Sequence, residues 1–104
     1  MKLVTKQLEQ LFNKYPLYSQ EEKKEEALVL CKFFAPIGAY TWYVLEAEKR
    51  EDDYMFFGIV INNHFEREYG YFTLSQLTEI RLPLGMRVER DLYFDSNKIK
   101  NIKL

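Results

Sequence analysis

The stretch Glu68–Phe94, EYGYFTLSQLTEIRLPLGMRVERDLYF, does more than any other to restrict what this chain can become. Its local signals spell strand, capped helix, proline-glycine turn and second strand. Thr73 suits an N-cap, because its hydroxyl can accept an amide that the first helical turn leaves unpaired. Gln76, three residues on, completes a capping box, and Phe72 and Leu77 have the spacing of a hydrophobic staple. Leu74, Leu77 and Ile80 recur at helical intervals and predict a helix of about two turns. Pro83 ends it, since its ring removes a donor and biases Leu82 toward extended geometry. Gly85 then permits a turn.

From Val88 the pattern becomes that of a strand. Alternation puts Val88, Arg90, Leu92 and Phe94 on one face, and Glu89, Asp91 and Tyr93 on the other. A guanidinium on the apolar face needs a carboxylate or backbone carbonyls as partners. The structural reading of Glu89-Arg90-Asp91 is therefore an arginine–carboxylate clamp. The functional reading is a polar site.

Upstream, residues 3–15 read as an amphipathic helix. Val4, Leu8, Leu11, Phe12 and Tyr15 line its apolar face, with Thr5 as a cap and Pro16 as a stop. Gln20–Glu26 reads as a polar, solvated loop, and ALVLCKFF as a buried strand over 28–34. Pro36-Ile37-Gly38 makes a turn. Tyr40–Glu48 is a strand with Trp42, Val44 and Glu46 on one face and Thr41, Tyr43, Leu45 and Ala47 on the other. The run Glu48–Asp53 is a hydrophilic hairpin loop that pairs this strand with Tyr54–Ile61. A second turn from Asn62 to near Glu68 includes His64. The final segment, DSNKIKNIKL, docks through Ile99, Ile102 and Leu104. The whole predicts a single domain over 1–104 of α+β class: an antiparallel sheet of about five strands with two short helices, a single layer of helix on sheet.

Charge argues about partners. Fifteen Lys and Arg against sixteen Asp and Glu leave a net charge of −1, which removes any general electrostatic case for nucleic acid or an acidic membrane. One cysteine, Cys31, excludes an intramolecular disulfide, and its apolar surroundings suggest a buried thiol. The N-terminal stretch lacks a signal peptide's apolar region, and no window reaches membrane-spanning length. The expectation is a soluble, cytoplasmic protein with no membrane association. Glycine-rich phosphate loops, paired His/Cys metal spacings and serine-nucleophile motifs are all missing, so no cofactor, metal or catalytic residue is expected. His64, beside Glu66 and Glu68, reads as a solvated loop histidine.

The aromatic content, 16% of residues, invites a base-stacking reading of Tyr40, Trp42, Tyr43, Tyr54, Tyr71 and Tyr93. Stacking platforms carry interleaved Lys and Arg, whereas the neighbours here are mostly Glu and Asp. The candidate binding residues are Trp42, Tyr43, Glu46, Glu89, Arg90, Asp91 and Tyr93, with Trp42 as the anchor for a protein partner if it projects from the face opposite the helices.

TWYVLEAE (41–48), FFG (56–58), EYGYFTLSQL (68–77) and PLGMRVERDLYF (83–94), together with KLVTK, YPLYSQ and KFFAP, resemble a family of small bacterial proteins labelled as a domain of unknown function. Its members occur on plasmids, conjugative transposons and phages. The resemblance spans nearly the whole chain and implies a mobile-element context, with no catalytic residue to carry over. Three functions compete: a non-catalytic accessory protein that binds another protein, a nucleic-acid-binding accessory protein, and a small ligand-binding domain or enzyme built round Glu46, Glu89, Arg90 and Asp91.

Overall fold

Among the described residues, two α-helices, α1 (Lys6–Lys14) and α2 (Leu74–Glu79), seven strands and three short 3-10 helices make up the regular structure. The strands are β1 (Leu28–Val29), β2 (Cys31–Phe34), β3 (Thr41–Arg50), β4 (Asp53–Asn62), β5 (Glu66–Thr73), β6 (Glu89–Arg90) and β7 (Asn97–Lys98). This is a computed structural model, and it describes residues 1–62 and 66–104. Of the turn expected from Asn62 to near Glu68, the part at His64 lies outside the described residues, whereas Asn62 and Glu66–Glu68 are paired strand.

Five strands form one antiparallel sheet in the order β5-β4-β3-β2-β6, and β1 pairs with β7 in a separate two-stranded ribbon. The α+β class and the five-stranded sheet with two helices are as the sequence predicts. The capping box forms as read: the Gln76 amide donates to Thr73 Oγ1 at 3.1 Å, and the Thr73 amide donates to Gln76 Oε1 at 2.9 Å. Thr5 caps α1 by accepting from the Leu8 amide at 3.2 Å. Leu3 and Val4 precede that helix, yet both are buried.

Both helices pack on one sheet face. There Phe12 and Leu77 join Phe33, Trp42, Val44, Phe56 and Phe72 in the larger core. The other face is covered too, which the single-layer expectation omits. Val29, Tyr43, Leu45, Ile59 and Ile99 form a second core, completed by Phe94, Ile102 and Leu104. The docking expected of the C-terminal segment is thus observed.

Four local expectations are corrected. The run 28–34 is two strands, because the chain leaves the ribbon at Leu30 and enters the main sheet at Cys31. The polar run 48–53 is mostly strand: Arg50 pairs with Asp53, leaving Glu51 and Asp52 as a two-residue turn. The strand expected from Val88 ends at Arg90. Asp91 Oδ1 then accepts the Tyr93 amide at 2.9 Å and turns the chain, leaving Leu92 in solvent and sending Phe94 to the second core. Finally, β3 contains a bulge between Val44 and Glu46, which pair with Gly58 and Phe57 respectively and leave Leu45 unmatched. One extra residue reverses every face assignment beyond it. Ala47 therefore joins Trp42 and Val44, while Glu46 shares the second face with Tyr43 and Phe57.

Gly58 stands opposite this bulge. A Cβ there would be driven into the Tyr43 carbonyl oxygen, so the close strand approach demands glycine.

Candidate functional site

The bulge does more than re-aim Glu46, because it opens the β3 backbone to the segment after α1. Glu46 is only 2% exposed, and its carboxylate accepts the backbone amides of Tyr18 at 2.7 Å and Gln20 at 2.9 Å. Gln20, 4% exposed, donates its side-chain amide to the carbonyls of Leu45 at 2.7 Å and Leu28 at 2.8 Å, and accepts the Leu28 amide at 2.7 Å. The loop expected to be solvated is therefore pinned at its first residue, Gln20, although Glu21–Glu26 remain exposed. Tyr18 is held at φ +74°, a backbone region that costs a non-glycine residue about 1–2 kcal/mol. The Glu46 hydrogen bonds offset that cost and deliver the Tyr18 ring to the surface.

That ring belongs to an aromatic surface at the β5 edge. Tyr69 and Tyr71 stand opposite Ile59 and Phe57 in register, so both project from the second face. The Phe57 and Tyr71 ring centroids lie 5.0 Å apart at 55°, and those of Phe57 and Tyr69 lie 6.2 Å apart at 26°. Tyr69 and Tyr71 are 51% and 53% exposed, and Tyr18 is more exposed still. The Tyr71 phenol is pushed above its ordinary pKa by the neighbouring Tyr18 hydroxyl, then by burial, and then by the Glu46 and Glu21 carboxylates. This surface is thus aromatic. On its flank Arg67 is paired with Glu25 at 3.2 Å.

The strand beneath is also an edge. Among the described residues, β5 makes backbone hydrogen bonds to β4 alone. Its other row of amides and carbonyls is available to a further strand.

The candidates named from the sequence are placed differently. Trp42 and Tyr43 are core residues on opposite sheet faces, with Trp42 stacked on Tyr40 at 5.5 Å. Trp42 therefore sits on the helix face, not on the face opposite the helices. Glu46 is occupied by the Tyr18–Gln20 segment. Arg90 finds carbonyls and no carboxylate: its Nη1 donates to Lys2 O at 2.8 Å and Leu3 O at 2.9 Å, tying the N-terminal segment to β6. Asp91 pairs with Lys32 at 3.6 Å. Glu89 is half-buried opposite Phe34, and Tyr93 stands 94% exposed on the turn after Asp91.

A cleft of about 450 Å³ lies between α1 and the 90–96 segment, lined among others by Leu8, Leu11, Cys31, Arg90 and Asp91. Burial pushes the pKa of the Cys31 thiol far above its ordinary value. In this cleft Arg90 is engaged by the Lys2 and Leu3 carbonyls, and Asp91 by Lys32. Among the described residues no group of three or more His, Cys, Asp and Glu side chains could hold a metal ion. Nor is any described helix long and apolar enough to cross a membrane.

The sequence singles out Tyr71 among the strand aromatics, but not Tyr18, Phe57 or Tyr69. The Tyr-Gly-Tyr spacing was the available signal, since residues two apart share a strand face. No curated protein and no solved structure matches this chain. The family model described as "Protein of unknown function (DUF2958)" matches residues 3–101, and the chain belongs to that family.

Proposed function

We propose that this is a non-catalytic protein-binding module that accepts an extended segment of its partner along the β5 edge. One observation carries the reading: β5 offers an open backbone edge eight residues long beside two half-exposed tyrosines. An added strand would gain main-chain hydrogen bonds from the edge and side-chain contacts from the tyrosines. Tyrosine suits such contacts, because it supplies a large rigid surface with a polar tip. The net charge of −1 favours protein over nucleic acid, since it gives no general attraction to phosphates. The resemblance to proteins of plasmids, conjugative transposons and phages supports a cytoplasmic partner from a host or mobile-element pathway.

The test is capture from nuclease-treated bacterial lysate on immobilised wild-type protein and on a Tyr69→Ala/Tyr71→Ala variant. A protein held by the wild type and lost with the variant supports edge docking. Retention that the variant does not alter, or that nuclease abolishes, overturns it.

A further inference from the structure

The two edges of the main sheet are built differently. At one edge β6 is two residues long and tied to the N-terminal segment: the Arg90 amide donates to Met1 Sδ at 3.3 Å, and Arg90 Nη1 holds the Lys2 and Leu3 carbonyls. At the other, β5 is eight residues long and pairs with β4 in one unbroken register. It contains no proline, lysine or bulge, the usual devices that keep an edge from pairing with a copy of itself. Two identical edges can meet in parallel, which turns their tyrosines to opposite sides of the joined sheet. They can also meet antiparallel about an axis normal to the sheet, which keeps all the tyrosines on one side. Directly opposed residues then share a face, so odd positions pair with odd and even with even. Charge and ring placement choose among these registers. Centring on Glu68 opposes two carboxylates, and centring on Tyr69 leaves the two Glu68 positions only roughly 7 Å apart along the strand. Centring on Gly70 separates them by roughly 13 Å. It also sets Tyr69 opposite Tyr71 twice, an aromatic pair that stabilises a ladder, and leaves Arg67 with Glu25.

We propose that in the free protein the β5 edge is closed by β5 of a second copy of this chain, antiparallel about a two-fold axis at Gly70. This rests on the reading that β5 accepts a strand, and adds the regulation of that site: a partner segment must displace the second copy. Phe57 packs on both tyrosines of its own chain, so the opposed tyrosines extend the two ring sets into one row across the junction. Gly70 on the axis removes side chains where the strands cross it, and no atom lies within 4 Å of the place a Cβ would take. A contact one strand wide is smaller than a standard interface. Its dissociation constant is expected on the order of 10–100 µM, weak enough for displacement.

The experiment is sedimentation velocity of the full chain over a concentration series, with two double variants. Tyr69→Lys/Tyr71→Lys opposes like charges twice in the proposed register and should weaken the dimer at least about tenfold. Tyr69→Glu/Tyr71→Lys opposes glutamate to lysine twice and should stay within about threefold of wild type. In the register centred on Tyr69 that second variant would instead oppose two glutamates and set lysine against Arg67. Amide spectra check that each variant is folded. Isotope-filtered NOEs between Tyr69 of one chain and Tyr71 of another, in mixed-label wild-type protein, test the same pairing with no substitution. Wild-type protein that stays monomeric to roughly 1 mM overturns the self-pairing. So does a dimer that the two lysines leave unchanged, since its interface lies elsewhere. A glutamate–lysine variant as weak as the double-lysine one, or wild-type dimer without the Tyr69–Tyr71 NOEs, overturns the Gly70 axis. None of these results touches edge docking itself, which stands or falls on the lysate capture with Tyr69→Ala/Tyr71→Ala.

Discussion

Glu46 and Gln20 hold each other across the β3 bulge: the Glu46 carboxylate accepts the Gln20 backbone amide at 2.9 Å, and Gln20 Nε2 donates to the carbonyl of the adjacent Leu45 at 2.7 Å. The described structure contains no buried side-chain nitrogen or oxygen without a partner. Half-satisfied buried networks are costly, so the pair should be sensitive to small changes. The same contacts set the position of Tyr18, and so link the bulge to the aromatic surface.

Glu46→Gln exchanges one accepting oxygen for a donor that faces a backbone amide. Gln20→Ala orphans the Leu45 carbonyl. Each should lower stability by about 2 kcal/mol in urea unfolding, against less than about 0.5 kcal/mol for Glu48→Gln at the exposed strand end. If all three variants unfold at the wild-type midpoint, the clamp does not form in solution.

What could be read from the sequence was local. The Thr73–Gln76 box, the Thr5 cap and the antiparallel pairing of β3 with β4 depend on neighbours in the chain, and they appear where expected. The bulge at Leu45 was not legible, because strict alternation from Trp42 assigns Glu46 to the wrong face and the compensating signal, Gly58, lies on another strand. Asp91 misled for a different reason: its side chain competes with the ladder for the Tyr93 amide and stops the strand that the alternation favours. The candidate site was only half legible. Tyr69 and Tyr71 share a face by simple periodicity, but that β5 is an edge is a property of topology.

Two glycines of the central hairpin region make opposite predictions. Gly58→Ala forces a methyl group into the Tyr43 carbonyl and should cost about 3 kcal/mol or prevent folding. Gly70→Ala meets no atom within 4 Å, and it should be neutral or slightly stabilising, within about 1 kcal/mol. Thermal melts of the two variants decide the matter, and equal losses would deny the tight approach at the bulge.

Arg90 and Arg50 separate a structural arginine from a surface one. Arg90 donates to two carbonyls of the N-terminal segment, whereas Arg50 pairs with Glu48 at an exposed strand end at 2.8 Å. Arg90→Ala should therefore cost about 1–3 kcal/mol, and Arg50→Ala less than about 0.5 kcal/mol. Arg90→Ala should also speed amide exchange in residues 2–4, since those carbonyls lose their anchor. Matching melting temperatures for the two variants would remove Arg90 from the framework.

Asp53 ties the β3–β4 hairpin to α2, accepting the Ser75 hydroxyl at 2.7 Å, the Tyr54 amide at 2.8 Å and the Ser75 amide at 3.0 Å. Burial alone would raise its pKa, but these hydrogen bonds, led by that from the Ser75 hydroxyl, outweigh it and hold the carboxyl below its ordinary value. A carboxylate whose folded pKa is depressed stabilises the fold above its unfolded pKa of about 3.9, and that contribution is lost as pH falls through the lower folded value. Asp53→Asn should thus cost about 1 kcal/mol near neutral pH, the usual worth of a helix cap. The gap between wild type and variant should stay constant down to about pH 5 and close below about pH 4. Urea unfolding at several pH values measures it directly. A gap that persists unchanged into strong acid would mean that Asp53 acts through its shape and not its charge.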